Sequence, residues 1–206
     1  MKASSVSGSV FVLLALTACE LESEDAAEEP QTELSAARAN VAVTPIFHAA
    51  VGAPIDVATA TRWIENHRQA AGREVASYTI RAAALRRILE RPGCVGISLQ
   101  YGVDDSGELQ LFPIGVDGDG RGIADTAVSA EAKRFIGRYT GTVKSHFYGR
   151  DTFTRLLDER RSEAVRATPA LDDDQAPQLL LSDAAEKEPR IYEDRSFVCP
   201  PSCPYL

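Results

Sequence analysis

The side chains that could carry out catalysis are few and far apart in this chain of 206 residues. Ser145 and His146 offer a hydroxyl next to an imidazole, the two groups used in nucleophilic hydrolysis. A nucleophile needs a base opposite it and a third group that orients this base, and two adjacent residues do not provide that arrangement. We therefore assign no catalytic residue. His146 aligns with Tyr78 in a repeat described below, so both are expected to occupy the same semi-buried structural position.

A glycine-rich segment, GVDGDGRG over residues 115–122, could suggest phosphate or calcium binding. Its glycines do not follow the dinucleotide-binding spacing, and the carboxylates of Asp117 and Asp119 would repel phosphate. As a calcium loop the segment fails at its fifth position, Arg121, and at its twelfth, Val128, where a bidentate glutamate is required. We interpret it as a turn, with calcium as the alternative. The acidic trio 172–174 is interpreted as a turn as well.

Cys199 and Cys203 lie in a proline-rich tail, CPPSCP. Zinc takes four ligands, and none of the three histidines has a paired spacing that could complete such a set. A redox-active pair is usually separated by two residues at a helix start, which prolines disfavour here. A structural disulfide is the prediction, with metal binding as the alternative. Cys94 would then be a buried free thiol, and neither metal nor cofactor is expected.

The fourth cysteine, Cys19, follows a short apolar run over residues 10–18, and Lys2 lies near the chain start. This run suits the core of a signal peptide and is too short to span a bilayer. With Leu16, Thr17 and Ala18 before the cysteine, the segment resembles the lipobox of bacterial lipoproteins. The resemblance implies that residues 1–18 are removed, and that Cys19 is acylated on its thiol and new amino terminus. The alternatives are an ordinary secretory signal or a cytosolic protein with an apolar start.

An acidic segment follows the cysteine, with seven acidic residues and no Lys or Arg between positions 20 and 33. It has too little apolar surface to offset the entropy of ordering, so residues 19–52 are predicted to be a flexible linker. The chain carries a net charge of −8, which argues against binding nucleic acid. We expect a location in the cell envelope, periplasmic or surface-exposed, with the membrane as partner through the lipid anchor and an envelope protein as possible partner.

The chain contains a weak internal repeat. Its few identities do not exclude chance, but apolar positions coincide, as with Trp63 over Phe135 and Leu85 over Phe153. The aligned pairs are residues 60–64 with 132–136, 75–90 with 143–158, and 102–112 with 170–180.

Each copy indicates two helices followed by a hairpin. In the first copy, Asp56 and Gly72 bound a helix, and residues 80–91 show a second apolar helical face. Residues 94–102 and 108–116 are predicted to form a hairpin, with Pro113 marking an edge or a bulge. In the second copy, the strand at residues 164–168 alternates poorly and is followed by Pro169.

The fold class that follows is α+β. Two related helix–helix–hairpin units would join their hairpins into one antiparallel sheet, with the helices on one face. We divide the chain into a signal peptide (1–18), a lipidated cysteine and linker (19–52), a first unit (53–127), a second, degenerate unit (128–195) and a Cys/Pro-rich tail (196–206).

About half of the chain resembles a group of small bacterial proteins without an assigned activity. The shared residues are RWI at 62–64, PGCVGI at 92–97, YG-x-DD-x-G at 101–107 and GVD at 115–117. This resemblance implies a fold unit and no chemistry. We expect a non-enzymatic binding, scaffolding or accessory module. The alternative is a hydrolase or metal-dependent enzyme whose site is assembled from residues distant in sequence.

Overall fold

A computed structural model describes residues 46–72, 76–123, 129–201 and 203–204, all within one compact unit. The predicted signal peptide, Cys19 and most of the predicted linker lie outside the described residues. The linker nevertheless ends earlier than expected, because Phe47 and Val51 are buried against Phe147 and Val116. Residues 46–52 are therefore part of the fold.

Nine strands and four helices make up the described chain. In chain order they are β1 (Ala53–Ile55), α1 (Val57–Ala71), β2 (Tyr78–Arg81), α2 (Ala82–Leu89), β3 (Gly96–Val103), β4 (Leu109–Val116), α3 (Ala130–Arg138), β5 (Ser145–Gly149), α4 (Arg150–Thr154), which continues as a π-helical turn (Arg155–Glu159), β6 (Ala164–Leu171), β7 (Pro177–Asp183), β8 (Tyr192–Asp194) and β9 (Phe197–Cys199).

The strands form two sheets. The first has the order β1-β8-β7-β6-β2 and the second the order β4-β3-β5-β9. All pairings described in both sheets are antiparallel. The α+β class with antiparallel sheets is confirmed. The two predicted hairpins, β3–β4 and β6–β7, lie in different sheets rather than joining into one.

The main core lies where α2, α4 and the inner faces of both sheets meet. Leu85 of α2, Phe153 of α4, Ile97 of β3 and Val165 of β6 all belong to it. The remaining two helices cover outer faces. Helix α1 packs on β6 through Ala60, and α3 approaches β3 so closely that a Cβ on Gly102 would lie 2.9 Å from the backbone nitrogen of Ile136. Helices therefore lie on both faces of the sheets, not on one.

Helix α1 begins and ends where its sequence predicts. The Asp56 side chain accepts a hydrogen bond from the Thr59 backbone N–H at 2.9 Å, which satisfies one of the free donors of the first turn. At the other end, Gly72 adopts a left-handed conformation with φ of 63°, and its N–H donates to the Arg68 carbonyl.

The two hairpins use the same turn chemistry. In the first turn, Asp104 Oδ1 accepts from the backbone N–H groups of Ser106 and Glu108, and Oδ2 accepts from the Gln110 amide. In the second turn, Asp172 makes the same three bonds, with Asp174, Ala176 and Gln178 as donors. Both predicted turns are confirmed.

The prolines in the hairpins occupy positions where no donor is needed. Pro113 lies on β4, an edge strand. Pro169 lies within β6, which runs unbroken over eight residues. Strand β2 pairs only with residues 164–167 of β6, so Pro169 pairs with Leu179 alone and its missing N–H costs no ladder bond.

Short strands precede α2 and α4, and the sequence does not predict the first of them. Ile80 and Arg81, expected at the start of a helix, belong instead to β2. Strand β2 pairs with β6, whereas β5 pairs with β3. Each short strand therefore joins the hairpin of the other half of the chain.

The pairing registers repeat with an offset of 68 residues. Tyr78 pairs with Ala167 in the first sheet, and Leu99 with His146 in the second; adding 68 to 78 and subtracting 68 from 167 gives the second pair from the first. Ion pairs follow the same pattern: Arg62 of α1 binds Asp173, and Arg134 of α3 binds Asp105, the corresponding position of the other turn.

Candidate ligand-binding cavity

A cavity of about 390 Å³ lies at one end of the space between the two sheets. Inner-face side chains of both sheets line it, and segments at the ends of α1 and α3 complete its wall. The lining residues are His67, Ala71, Ala76, Tyr78, Tyr101, Glu108, Leu109, Tyr139, Thr142, Val143, His146, Pro169, Ala170, Leu171, Pro177 and Gln178.

His146 is the most deeply buried ionisable group in this wall, with 1% of its surface exposed. Its Nδ1 lies 3.0 Å from the Ser196 hydroxyl oxygen. Its Nε2 is buried and has no hydrogen-bond partner among the described residues. Because burial disfavours the charged imidazolium, the pKa of His146 falls to about 3, so the ring is neutral at physiological pH.

Tyrosines form a second part of the wall. The Tyr101 ring lies 5.3 Å from the Tyr139 ring, centroid to centroid, and contacts the His146 ring edge-on at 5.9 Å. Burial raises the pKa of both the Tyr101 and the Tyr139 hydroxyl. Both hydroxyls therefore stay protonated and can donate or accept a hydrogen bond.

The entrance of the cavity is formed by exposed residues. Ala71 is the last residue of α1, Ala76 precedes β2, and Thr142 follows α3; all three are exposed. Glu108, also exposed, borders the same opening from the first hairpin. A small molecule could therefore reach the space between the sheets without unfolding either one.

The structure does not join Ser145 and His146 into a nucleophile–base pair. They are consecutive residues of β5, so their side chains point to opposite faces of the sheet. Only His146 lines the cavity, and the Ser145 hydroxyl is buried without a partner among the described residues. As the alignment predicts, Tyr78 and His146 occupy related positions, and both line the same cavity.

The other predicted residues have structural positions. Cys199 and Cys203 form a disulfide. Cys94 is a buried free thiol whose Sγ donates to the Gly96 carbonyl, and burial raises its pKa. In the glycine-rich segment, Asp117 Oδ1 accepts from the backbone N–H groups of Asp119 and Arg121, as in a closed turn.

Searches for metal sites and membrane spans were limited to the described part of the chain. Within it, no three His, Cys, Asp or Glu side chains are grouped so that they could hold a metal ion. None of its helices is both long enough and apolar enough to cross a bilayer.

Comparison of the chain with protein-family models, with curated proteins and with solved structures gives no match. The cavity itself was not predicted from the sequence, because its wall combines residues from both halves of the chain. The one signal that could have pointed to it was the alignment of His146 with Tyr78.

Proposed function

We propose that this chain is a lipid-anchored protein of the cell envelope whose folded part is a non-enzymatic module that binds a small molecule. The observation that carries the binding proposal is the cavity, which contains a buried, neutral His146 with an unused hydrogen-bonding nitrogen. Pockets of a few hundred Å³, mainly apolar and with a small number of polar groups, are the usual form of small-molecule sites.

The cavity wall favours binding over hydrolysis. A hydrolase needs a nucleophile within hydrogen-bond reach of its base. His146 lines the cavity, and the hydroxyl nearest its Nδ1, on Ser196, belongs to a residue outside the cavity wall. The remaining groups can hold a ligand through hydrogen bonds and apolar contact.

The binding proposal is tested by native mass spectrometry of the protein purified from envelopes. An Ala71→Trp variant places an indole at the entrance, whereas Ala70→Trp places one at the neighbouring exposed position of α1, outside the cavity wall. We expect a co-purifying small molecule on the wild type and on Ala70→Trp, and its loss from Ala71→Trp. A wild-type protein with no bound molecule would contradict the proposal.

The lipid anchor is supported by the lipobox-like segment before Cys19 and by the acidic segment after it. Several acyl chains on one residue give stable membrane attachment, since each buried methylene contributes about 0.8 kcal/mol. We expect the wild type in the membrane fraction and Cys19→Ala outside it. Equal partitioning of the two would contradict the anchor. An envelope protein as an additional partner stays part of this proposal.

We also propose that the folded part arose from two copies of one unit. The shared register offset of 68 residues and the matching bonds of Asp104 and Asp172 support this. Exchanging residues 104–110 with residues 172–178 should then leave the free energy of unfolding nearly unchanged, because each segment supplies the same turn bonds and the same aspartate to the facing arginine. An exchanged chain that does not fold would contradict the equivalence.

A further inference from the structure

Charged side chains are nearly missing from the wall of the cavity. Among its described lining residues, Glu108 is the only Asp, Glu, Lys or Arg, and it is exposed at the entrance. An anion entering the cavity would lose its hydration without meeting a cationic side chain. A cation would meet a carboxylate only at the solvent-exposed rim. Burying an uncompensated charge is far more costly than burying a hydrogen-bonded neutral group.

The polar groups that the wall does offer are uncharged. His146 is neutral at physiological pH because of its burial. The hydroxyl of Tyr101, which is 8% exposed, stays protonated. Neutral imidazole and phenol groups can each donate or accept, so they suit a ligand with its own hydroxyl or amide group.

Apolar surfaces occupy the rest of the wall. Pro169 and Leu171 of β6 and Pro177 of β7 face the cavity from the first sheet. The Tyr101 and Tyr139 rings, inclined by 30°, add an aromatic surface from the other side. A ligand that satisfies this wall needs an apolar face as well as a polar group.

From these features we infer that the cavity takes an uncharged ring compound with a hydrogen-bonding group, no larger than about two six-membered rings. This inference rests on the proposed binding function and adds the class of ligand. A neutral aromatic alcohol and a neutral sugar share this chemistry, because both combine an apolar face with hydroxyl groups.

A charge series of probes tests the inference. Benzyl alcohol, benzoate and benzylamine have the same ring and differ in charge, and N-acetylglucosamine represents a neutral sugar. Binding is followed by NMR through the ring signals of His146, which are assigned by their loss in His146→Gln. Ala71→Trp and Ala70→Trp serve again as the blocked variant and its matched control.

We expect a neutral probe to shift the His146 signals saturably in the wild type and in Ala70→Trp, but not in Ala71→Trp. The charged probes should bind at least about tenfold more weakly. The neutral probe that binds more tightly distinguishes an aromatic ligand from a sugar. If benzoate or benzylamine binds as tightly as the neutral probes, or if no neutral probe shifts His146, the ligand class is wrong. The co-purified mass decides the binding proposal separately.

Discussion

The carboxylate of Glu193 is fully buried and holds the guanidinium of Arg155, with Oε2 accepting from Nη2 at 2.7 Å and from Nε at 3.1 Å. A second arginine, Arg160, donates to Oε1 at 3.0 Å. Arg155 also donates to the Gly52 carbonyl. Glu193 thereby joins β8 to the π-helical turn after α4 and to the segment before β1, which the local sequence pattern does not foretell.

Replacing Glu193 with Gln should destabilise the protein. The amide keeps the shape of the side chain but leaves two partly buried guanidinium groups without a counter-charge. Breaking a buried ion pair in this way costs on the order of 3 kcal/mol. The measurement is the free energy of unfolding in urea.

Asp119→Asn provides the control for Glu193→Gln. It removes the carboxylate of the exposed ion pair with Arg121, in which both side chains are 70% exposed. Such a pair contributes little, so its loss should leave the urea midpoint almost unchanged. Equal effects of the two substitutions would mean that the buried cluster has no special part in holding β8.

Asp194→Asn should stabilise the protein at neutral pH. Asp194 is buried with an unpartnered Oδ1 among the described residues, and burial raises its pKa from 3.8 to about 6. Below pH 4 the carboxyl is protonated in both folded and unfolded chains, so it causes no difference. As the pH rises from about 4 to 6, only the unfolded chain ionises readily, and stability is lost, by roughly 3 kcal/mol in all.

The neutral amide removes this loss. Asp194→Asn and the wild type should therefore have similar stability near pH 4 and diverge in favour of the variant up to pH 6, with a constant difference above it. Urea unfolding at several pH values measures this. A difference that does not change with pH would exclude a buried, protonated Asp194.

His146 should give the opposite slope. Its pKa is about 3 in the folded protein against 6.5 for the model value, so the unfolded chain binds a proton first as the pH falls. Stability contributed by neutral His146 is complete above pH 6.5 and is lost between about pH 6.5 and 3. His146→Gln, which does not titrate, should lose less stability than the wild type across this range. Parallel pH profiles of the two proteins would contradict the burial of a neutral ring.

Alkylation of cysteines distinguishes the predicted states of all four thiols. Cys94 is buried with a raised pKa, so iodoacetamide should not modify it in the folded protein. After unfolding without reductant, intact mass should show one adduct, because Cys199 and Cys203 are paired and Cys19 is acylated. A second adduct would mean that Cys19 carries a free thiol. Reduction before alkylation should add two further adducts.

Features that depend on neighbouring residues could be predicted from the sequence. Helix α1 follows from the cap at Asp56 and the glycine at position 72, and the β3–β4 turn follows from the short segment around Asp104. Pairing between distant segments could not be predicted. Strand β2 has only four residues and finds its partner 80 or more residues away in β6, so neither its pattern nor its length distinguishes it from a helix start.

The cavity illustrates the same limit. Tyr101, Tyr139 and His146 come from separate elements, and only the pairing of β5 with β3 brings His146 next to Tyr101. The division into two sheets, which creates the space between them, depends on each short strand joining the hairpin of the other half. No local pattern in the sequence encodes that exchange.

The proposal that the cavity is a ligand site is tested most directly by a crystal structure of the protein purified from envelopes without added small molecules. We predict electron density for one uncharged ring compound between the two sheets, within hydrogen-bond distance of His146 or the Tyr101 hydroxyl. A cavity that contains only water, or whose walls close upon each other, would contradict the account.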